Sequence, residues 1–304
     1  MFLNKAIAGI LPLLPKKFIW IFSKKYIAGE KLNDAVIATK EFNNSGIKVS
    51  IDLLGEFQTK IEKIDYYKNE YLNIIEEADR NNLDTTFSLK PTMFGLLTDT
   101  KLCYLKIHEI VEKATDKNYF VRIDMEDSRC TDPEIDLFKK LHTSFPDNTG
   151  LVFQSYLKRT LNDLKMLHKF NKNNMPLNIR LCKGIYVEPE EIAYLKHDEI
   201  NNHFMKDLEY MFQNNFYSAI ATHDKDLISR SLDLINKYNV PKSRYEFQML
   251  YGVTPELRKS IADSGYPMRV YIPYGKDWFN YSTRRLKENP RIMSHLIKGL
   301  FVRQ

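Results

Sequence analysis

From residue 47 onward the chain alternates short β-branched or apolar runs with longer stretches whose apolar residues recur at helical spacing, and it does so about eight times. The short runs are "IKVSIDLL" (47–54), "TTFSLK" (85–90), "YFVRIDM" (119–125), "GLVFQS" (150–155), "LNIRLCK" (177–183), "YSAIATH" (217–223), "RYEFQML" (244–250) and "MRVYIPY" (268–274). Between them lie segments such as "LNDLKMLHKF" (161–170) and "KDLISRSLDLINKY" (225–238), with no linker and no low-complexity stretch. Repeated strand–helix units imply parallel strands joined by right-handed crossovers. Eight of them predict an α/β fold, a closed (βα)8 TIM barrel, and a span of roughly 250 residues suits that architecture. A doubly wound sheet is the rival, but no G-x-G-x-x-G turn follows the first run.

The barrel is expected to fill residues 46–304 as the catalytic domain, preceded by an N-terminal helical arm over 1–45. The opening "MFLNKAIAGILPLLPKKFIWIFSKKYIAG" is apolar and basic, yet Pro12, Pro15 and two Lys-Lys pairs divide it into pieces shorter than a membrane span. No small-x-small cleavage site marks a signal peptide. Short amphipathic helices that cap the barrel or touch a membrane surface are expected, with capping preferred.

Composition excludes several classes. The 304 residues are 43% apolar, enough for a sizeable core, and 45 basic residues face 39 acidic ones in an interspersed pattern, a weak footprint for nucleic acid. Cys103, Cys130 and Cys182 have no close pair spacing, which argues against a disulfide framework or a zinc site and suits a reducing compartment, the cytoplasm. His197 and His203 miss the i, i+4 spacing of a helical metal pair and read as ordinary surface histidines, so no metal is expected.

In a barrel of this kind chemistry sits where the strands end. The predicted ends carry Lys90, Asp124, Gln154, Arg180 with Lys183, Thr222 with His223, Gln248, and Tyr271. Burying so many polar groups costs free energy unless each is paired, so the pattern reads as one polar site. A further motif, "YSTRRLKENP" (281–290), places Tyr281, Arg284, Arg285 and Glu288 at i, i+3, i+4 and i+7 on one helix face, with Glu288 in reach of Arg284. Counting Lys90, Arg180, Lys183, Arg284 and Arg285 against Asp124 and Glu288 gives a positive excess and predicts an anionic guest, a carboxylate or a phosphate. Lys183 or Lys90 can alternatively be read as the Schiff-base nucleophile of a barrel lyase or aldolase, if burial depresses its pKa. A silent barrel that only binds an anion or a partner is a third reading.

The motifs "LVFQSYLKRT" (151–160), "IRLCKGIYVEPEE" (179–191), "ATHD" (221–224), "YEFQMLYGV" (245–253) and "RVYIPYGKDWFNYSTRRLKENP" (269–290) occur in register, and together the chain resembles the flavin-dependent proline dehydrogenases in their stand-alone bacterial form. That resemblance implies a (βα)8 barrel with non-covalent FAD that oxidises L-proline to Δ1-pyrroline-5-carboxylate and passes electrons to a membrane quinone. A peripheral position at the inner face of the membrane would follow from the acceptor. By the same resemblance Lys90, Arg284 and Arg285 clamp the substrate carboxylate, and Asp124 orients that basic cluster or acts as a base. Tyr271 and Tyr281 wall the ring, with Leu250 and Tyr186 nearby, and the arginines' hold on the carboxylate turns C5–H toward flavin N5. Flavin contacts fall on Met125, Gln154, Arg180, Lys183, Gly184, Ile185, Thr222, His223 and Gln248, and Arg180 tunes the ring toward its reduced form. Ile185 departs from the alanine usual in "KGAY", and Tyr281 matches the members that prefer proline over 4-hydroxyproline. Gly184 reads equally as a close approach to a ligand and as a plain turn glycine.

Overall fold

The computed structural model of the protein describes residues 19–20, 23–171, 175–279 and 281–283. Eight parallel strands, β1 (Lys48–Leu53), β2 (Thr85–Leu89), β3 (Val121–Ile123), β4 (Thr149–Gln154), β5 (Asn178–Cys182), β6 (Tyr217–Ala221), β7 (Tyr245–Leu250) and β8 (Met268–Tyr274), close in chain order into a barrel. Each run read from the sequence carries one of them. Helices α2 (Ile61–Arg80), α3 (Thr100–Asp116), α4 (Thr131–Ser144), α5 (Thr160–Leu167), α6 (His197–Gln213), α7 (Lys225–Lys237) and α8 (Pro255–Asp263) follow β1 to β7 in turn.

The helix α1 (Leu32–Asn44) comes before β1 and packs across β1 and β8. It therefore fills the place beside β8 that a helix following the last strand would take. The helical residues 278–279 and 281–283 go elsewhere: Trp278 and Tyr281 join Ile19, Ile27 and Leu54 in a small apolar cluster. Backbone bonds from Ala28 N–H to Pro273 O (2.9 Å) and from Gly275 N–H to Gly29 O (3.0 Å) stitch the N-terminal segment to the end of β8. Gly252, at φ +72°, admits it closely, since a Cβ there would lie 1.6 Å from the Lys25 carbonyl oxygen. The described part of the N-terminal segment thus caps the barrel, and no described helix is long and apolar enough to cross a membrane.

Strand alternation sorts the side chains into two layers. One face, with Val49, Ile51, Phe87, Leu89, Ile123, Phe153, Leu181, Ile220, Phe247 and Ile272, is buried in the main apolar core. Each such side chain contributes about 1.5–3 kcal/mol by leaving water. The other face lines the lumen and is polar: Ser50, Asp52, Ser88, Arg122, Asp124, Arg180, Glu246, Gln248 and Arg269 are all buried.

At the N-terminal end of the lumen one arginine closes on a carboxylate and another on neutral oxygens. Arg269 donates to both Glu246 oxygens, Nε to Oε1 at 2.7 Å and Nη2 to Oε2 at 3.1 Å, and sends Nη1 to the Val49 carbonyl at 2.8 Å. Arg122 donates to the carbonyl and side-chain oxygens of Asn178 at 2.6 and 2.5 Å. Gly150 makes room for it, because a Cβ would stand 2.5 Å from Arg122 Nη1. Burial opposes the Glu246 anion, but Arg269 and the bond from Gln248 outweigh it and hold the carboxyl down at about 2.

One histidine departs from expectation. His203 is buried rather than on the surface, with Nδ1 2.7 Å from the Ser155 carbonyl and 3.3 Å from Asp207. A single polar position on an amphipathic helix does not say which face it occupies, and here the ring ties α6 to the end of β4.

Candidate active site

A cavity of about 440 Å³ opens at the C-terminal rim of the barrel. Lys90, Asp124, Met125, Gln154, Arg180, Lys183, Gly184, Ile185, Tyr186, Thr222, His223, Gln248, Leu250, Tyr271 and Tyr281 all line it. These include every candidate read from the strand ends and from the motifs, apart from Arg284 and Arg285. Those two arginines, with Glu288, lie outside the described residues.

The cavity floor is one bonded network. Arg180, on β5, reaches across the lumen: Nε donates to Gln248 Oε1 (2.6 Å), Nη1 to Asp124 Oδ1 (2.8 Å) and Nη2 to Ser88 and Ser50 (3.0 and 3.4 Å). Its guanidinium lies 5.2 Å from the centre of the Tyr271 ring. Tyr271 donates to Asp124 Oδ2 at 2.9 Å and accepts from Lys90 Nζ at 3.3 Å. Lys90 in turn donates to Asp52, 2.9 and 3.0 Å from its two oxygens, and stands 3.9 Å from Asp124. Residues on β1, β2, β5, β7 and β8, with Lys90 and Asp124 just past the ends of β2 and β3, therefore meet within hydrogen-bond distance.

Asp52 is the member that strand-end reasoning missed. It sits inside β1, one alternation step beyond Ser50, and the signal was available in the period-two polar series Ser50–Asp52, Ser88–Lys90 and Arg122–Asp124. Burial, with Asp124 nearby, pushes its carboxyl up to about 6 despite Lys90. Burial also works against the Lys90 ammonium, but Asp52 and Asp124 outweigh it and hold that group above the usual lysine range. A Schiff-base lysine needs the opposite shift, so Lys90 does not suit the lyase reading.

On the outer wall Lys183 donates to Asp224 Oδ2 at 2.6 Å and lies 3.1 Å from His197 Nε2. Asp224 also caps α7 through the Asp226 N–H and accepts from Asn201, so a helix start fixes the lysine. Burial opposes the Asp224 anion, but these donors hold its carboxyl below the usual range. His223 Nε2 accepts the Leu250 N–H at 2.9 Å, which leaves its proton on Nδ1. Gln154 donates to the Glu126 carbonyl at 2.8 Å. Gly184 has φ +108°, and a Cβ there would strike the Tyr156 ring at 2.0 Å, so packing against Tyr156 and the backbone angle both require glycine.

The expected positive excess is not found among the described residues. Lys90, Arg180 and Lys183 are matched by Asp52, Asp124 and Asp224 around the cavity. The sequence count omitted Asp52 and Asp224 because neither was read as part of a strand end.

Comparison with known proteins agrees with this geometry. The family model "Proline dehydrogenase" matches residues 35–298. Proline dehydrogenase 1 of Bacillus subtilis subsp. natto is 33% identical over 278 residues, 91% of this chain and 90% of that protein. Proline dehydrogenase of Deinococcus radiodurans is 31% identical over 291 residues, 94% of this chain and 92% of that one. Among solved structures, proline utilization A (PutA) from Bdellovibrio bacteriovorus inactivated by N-propargylglycine superposes with a TM-score of 0.80 at 24% identity, over 87% of this chain and 32% of that one, a likeness of fold. The chain belongs to the proline dehydrogenase family.

Proposed function

We propose that the protein oxidises L-proline to Δ1-pyrroline-5-carboxylate with non-covalent FAD in the rim cavity and a membrane quinone as the final acceptor. The observation that carries this reading is the single network of Lys90, Asp124, Arg180 and Tyr271 at the cavity floor.

The lining fits a flat ring system with polar edges. Met125, Val152, Met249 and Leu250 offer apolar surface, while Arg180, Lys183 and Gln154 bring donors to the same space. Lys183 directs one ammonium proton at Asp224 and lies beside His197, and with three donors on the ammonium it has capacity for a ligand. The volume lies within the roughly 300–1,000 Å³ range of small-molecule sites. Residues that would hold the flavin are Met125, Gln154, Arg180, Lys183, Gly184, Ile185, Thr222, His223 and Gln248. When bound, FAD supplies the acceptor for the hydride that leaves proline C5.

The chain's own part is placement. Lys90 offers its ammonium to the substrate carboxylate, and the resemblance adds Arg284 and Arg285. Asp124 spends one oxygen on Arg180 and the other on Tyr271, so it orients both rather than standing free as a base. Tyr271 and Tyr281 wall the ring, with Leu250, Tyr186 and Ile185 lining the same space, and the bulk of Tyr281 favours proline over 4-hydroxyproline. Fixing the reacting carbon in this way can supply several kcal/mol of the barrier, up to about 7–11 in well-oriented systems.

The test is direct. Purified protein should be yellow, release FAD by mass, and reduce an artificial acceptor with proline. Protein that is reconstituted with FAD, folded, and still inert toward proline would refute the reading.

A further inference from the structure

Behind the cavity floor lies a second, fully buried contact whose two residues do not line the cavity. Thr92 is in the short 3-10 turn Pro91–Phe94 that immediately follows Lys90. Its N–H and hydroxyl donate to the two oxygens of Glu126, at 2.9 and 2.5 Å, and Glu126 stands two residues beyond Asp124. Thr92 also accepts: its Oγ1 takes the Phe57 N–H at 3.0 Å and its carbonyl the Gln58 N–H at 2.9 Å. Phe57 has φ +51°, a conformation costly for a bulky side chain, which persists only where neighbours over-determine it. On the outside Arg129 lies 5.9 Å from the Phe57 ring centre and closes the same loops from the solvent side. Glu126 is held in turn, since Glu134 of α4 accepts its N–H and its carbonyl orients Gln154.

We infer that Thr92 and Glu126 form a positioning pair that ties together the loops after β1, β2 and β3 and so sets the spacing of Asp52, Lys90 and Asp124 toward the substrate carboxylate. The inference rests on the proposed role of Lys90. A β-barrel fixes its strands, but Lys90 and Asp124 stand just beyond the ends of β2 and β3, where the bond from Asp124 N–H to the Leu89 carbonyl (2.9 Å) closes the ladder and the side-chain ends depend on the loops that follow. Two carboxylate oxygens bonded to one residue's N–H and O–H restore a fixed geometry there, and the Thr92 oxygens carry it on to the loop that follows Asp52.

Thr92→Val keeps the β-branched shape and removes the hydroxyl. It should raise the KM for proline about tenfold with kcat within about twofold of the parent, because an interaction lost equally in ground and transition states moves KM. Thr92→Ser should restore the parent KM. A role in stability alone would lower the melting temperature and the yield of active protein while leaving KM in place, and that result, or an equal KM change in the Val and Ser variants, overturns the inference. If Thr92→Val does not fold, Glu126→Gln provides the same readout, with a KM rise of similar size expected and an unchanged KM refuting it. Lys90→Ala, run in parallel, separates the two levels. Loss of proline turnover there with a silent Thr92→Val refutes the pair alone, and an unchanged KM in Lys90→Ala refutes the role of Lys90 and the pair with it.

Discussion

Glu246 and Asp52 are both buried carboxylates of one barrel lumen, yet the first is held down at about 2 and the second pushed up to about 6. Burial raises both. At the N-terminal end Arg269 grips both Glu246 oxygens, Gln248 adds a bond, and Arg122 adds positive potential, so the anion is over-compensated. At the C-terminal end Lys90 is shared between Asp52, Asp124 and Tyr271, and the two carboxylates repel each other. At one end an arginine bonds both oxygens of its carboxylate, while at the other a single lysine is divided among two carboxylates and a tyrosine beside an open cavity, the arrangement expected of a site that waits for a ligand.

The largest effect should come from breaking the N-terminal end. Arg269→Met leaves Glu246 buried without its partner and should cost about 3–5 kcal/mol in urea unfolding. The folded fraction should retain the parent kcat/KM for proline; loss of turnover per folded molecule would erase the division between the two ends.

Next comes the pH dependence of that end. Glu246 has a folded pKa below its usual value, so its contribution is complete above about pH 4.5 and disappears as pH falls toward about 2. Glu246→Gln should therefore be less stable than the parent by about 3 kcal/mol at pH 7, a gap that narrows over that window. A gap that stays constant with pH would show that the carboxylate is not the source.

Lys90→Met attacks the C-terminal end. Activity should fall on the order of a hundredfold in kcat/KM, about 2.7 kcal/mol. The stability loss at pH 5.5 should be less than half that of Arg269→Met, because Asp52 can take up a proton. Equal losses at the two ends would break the comparison.

The smallest effect sharpens it. As pH rises through about 6, Asp52 ionises and engages Lys90 more fully, so the parent KM for proline should rise about threefold. Asp52→Asn should flatten that rise, and a variant that keeps the inflection would assign it to another group.

The same comparison explains what was legible in the sequence. All eight strands could be read because their helix-facing positions are apolar, many of them β-branched or aromatic, and the period is short. The cavity lining could be read because it gathers at strand ends and in motifs with fixed spacing. Polarity alone would have misled, since Arg122, Glu246 and Arg269 are as polar as the site residues and belong to the N-terminal end. Asp52 went unread because it sits inside an apolar run rather than after it. The place of α1 between β8 and β1 was hidden for a different reason: amphipathic spacing shows that a helix has a partner, not which one. Glu126 and Thr92 carry no motif at all, and only the fold brings their positions together.

The placement of α1 also bears on how the molecule forms. Closing the cylinder requires β1 to find β8, and the bond from Arg269 to the Val49 carbonyl joins positions 220 apart. The helix that covers this seam precedes every strand of the barrel and must stay uncovered until the final strand arrives. Chain closure over such a separation is slow, so the seam is expected to be the last part of the protein to gain protection against hydrogen exchange during refolding.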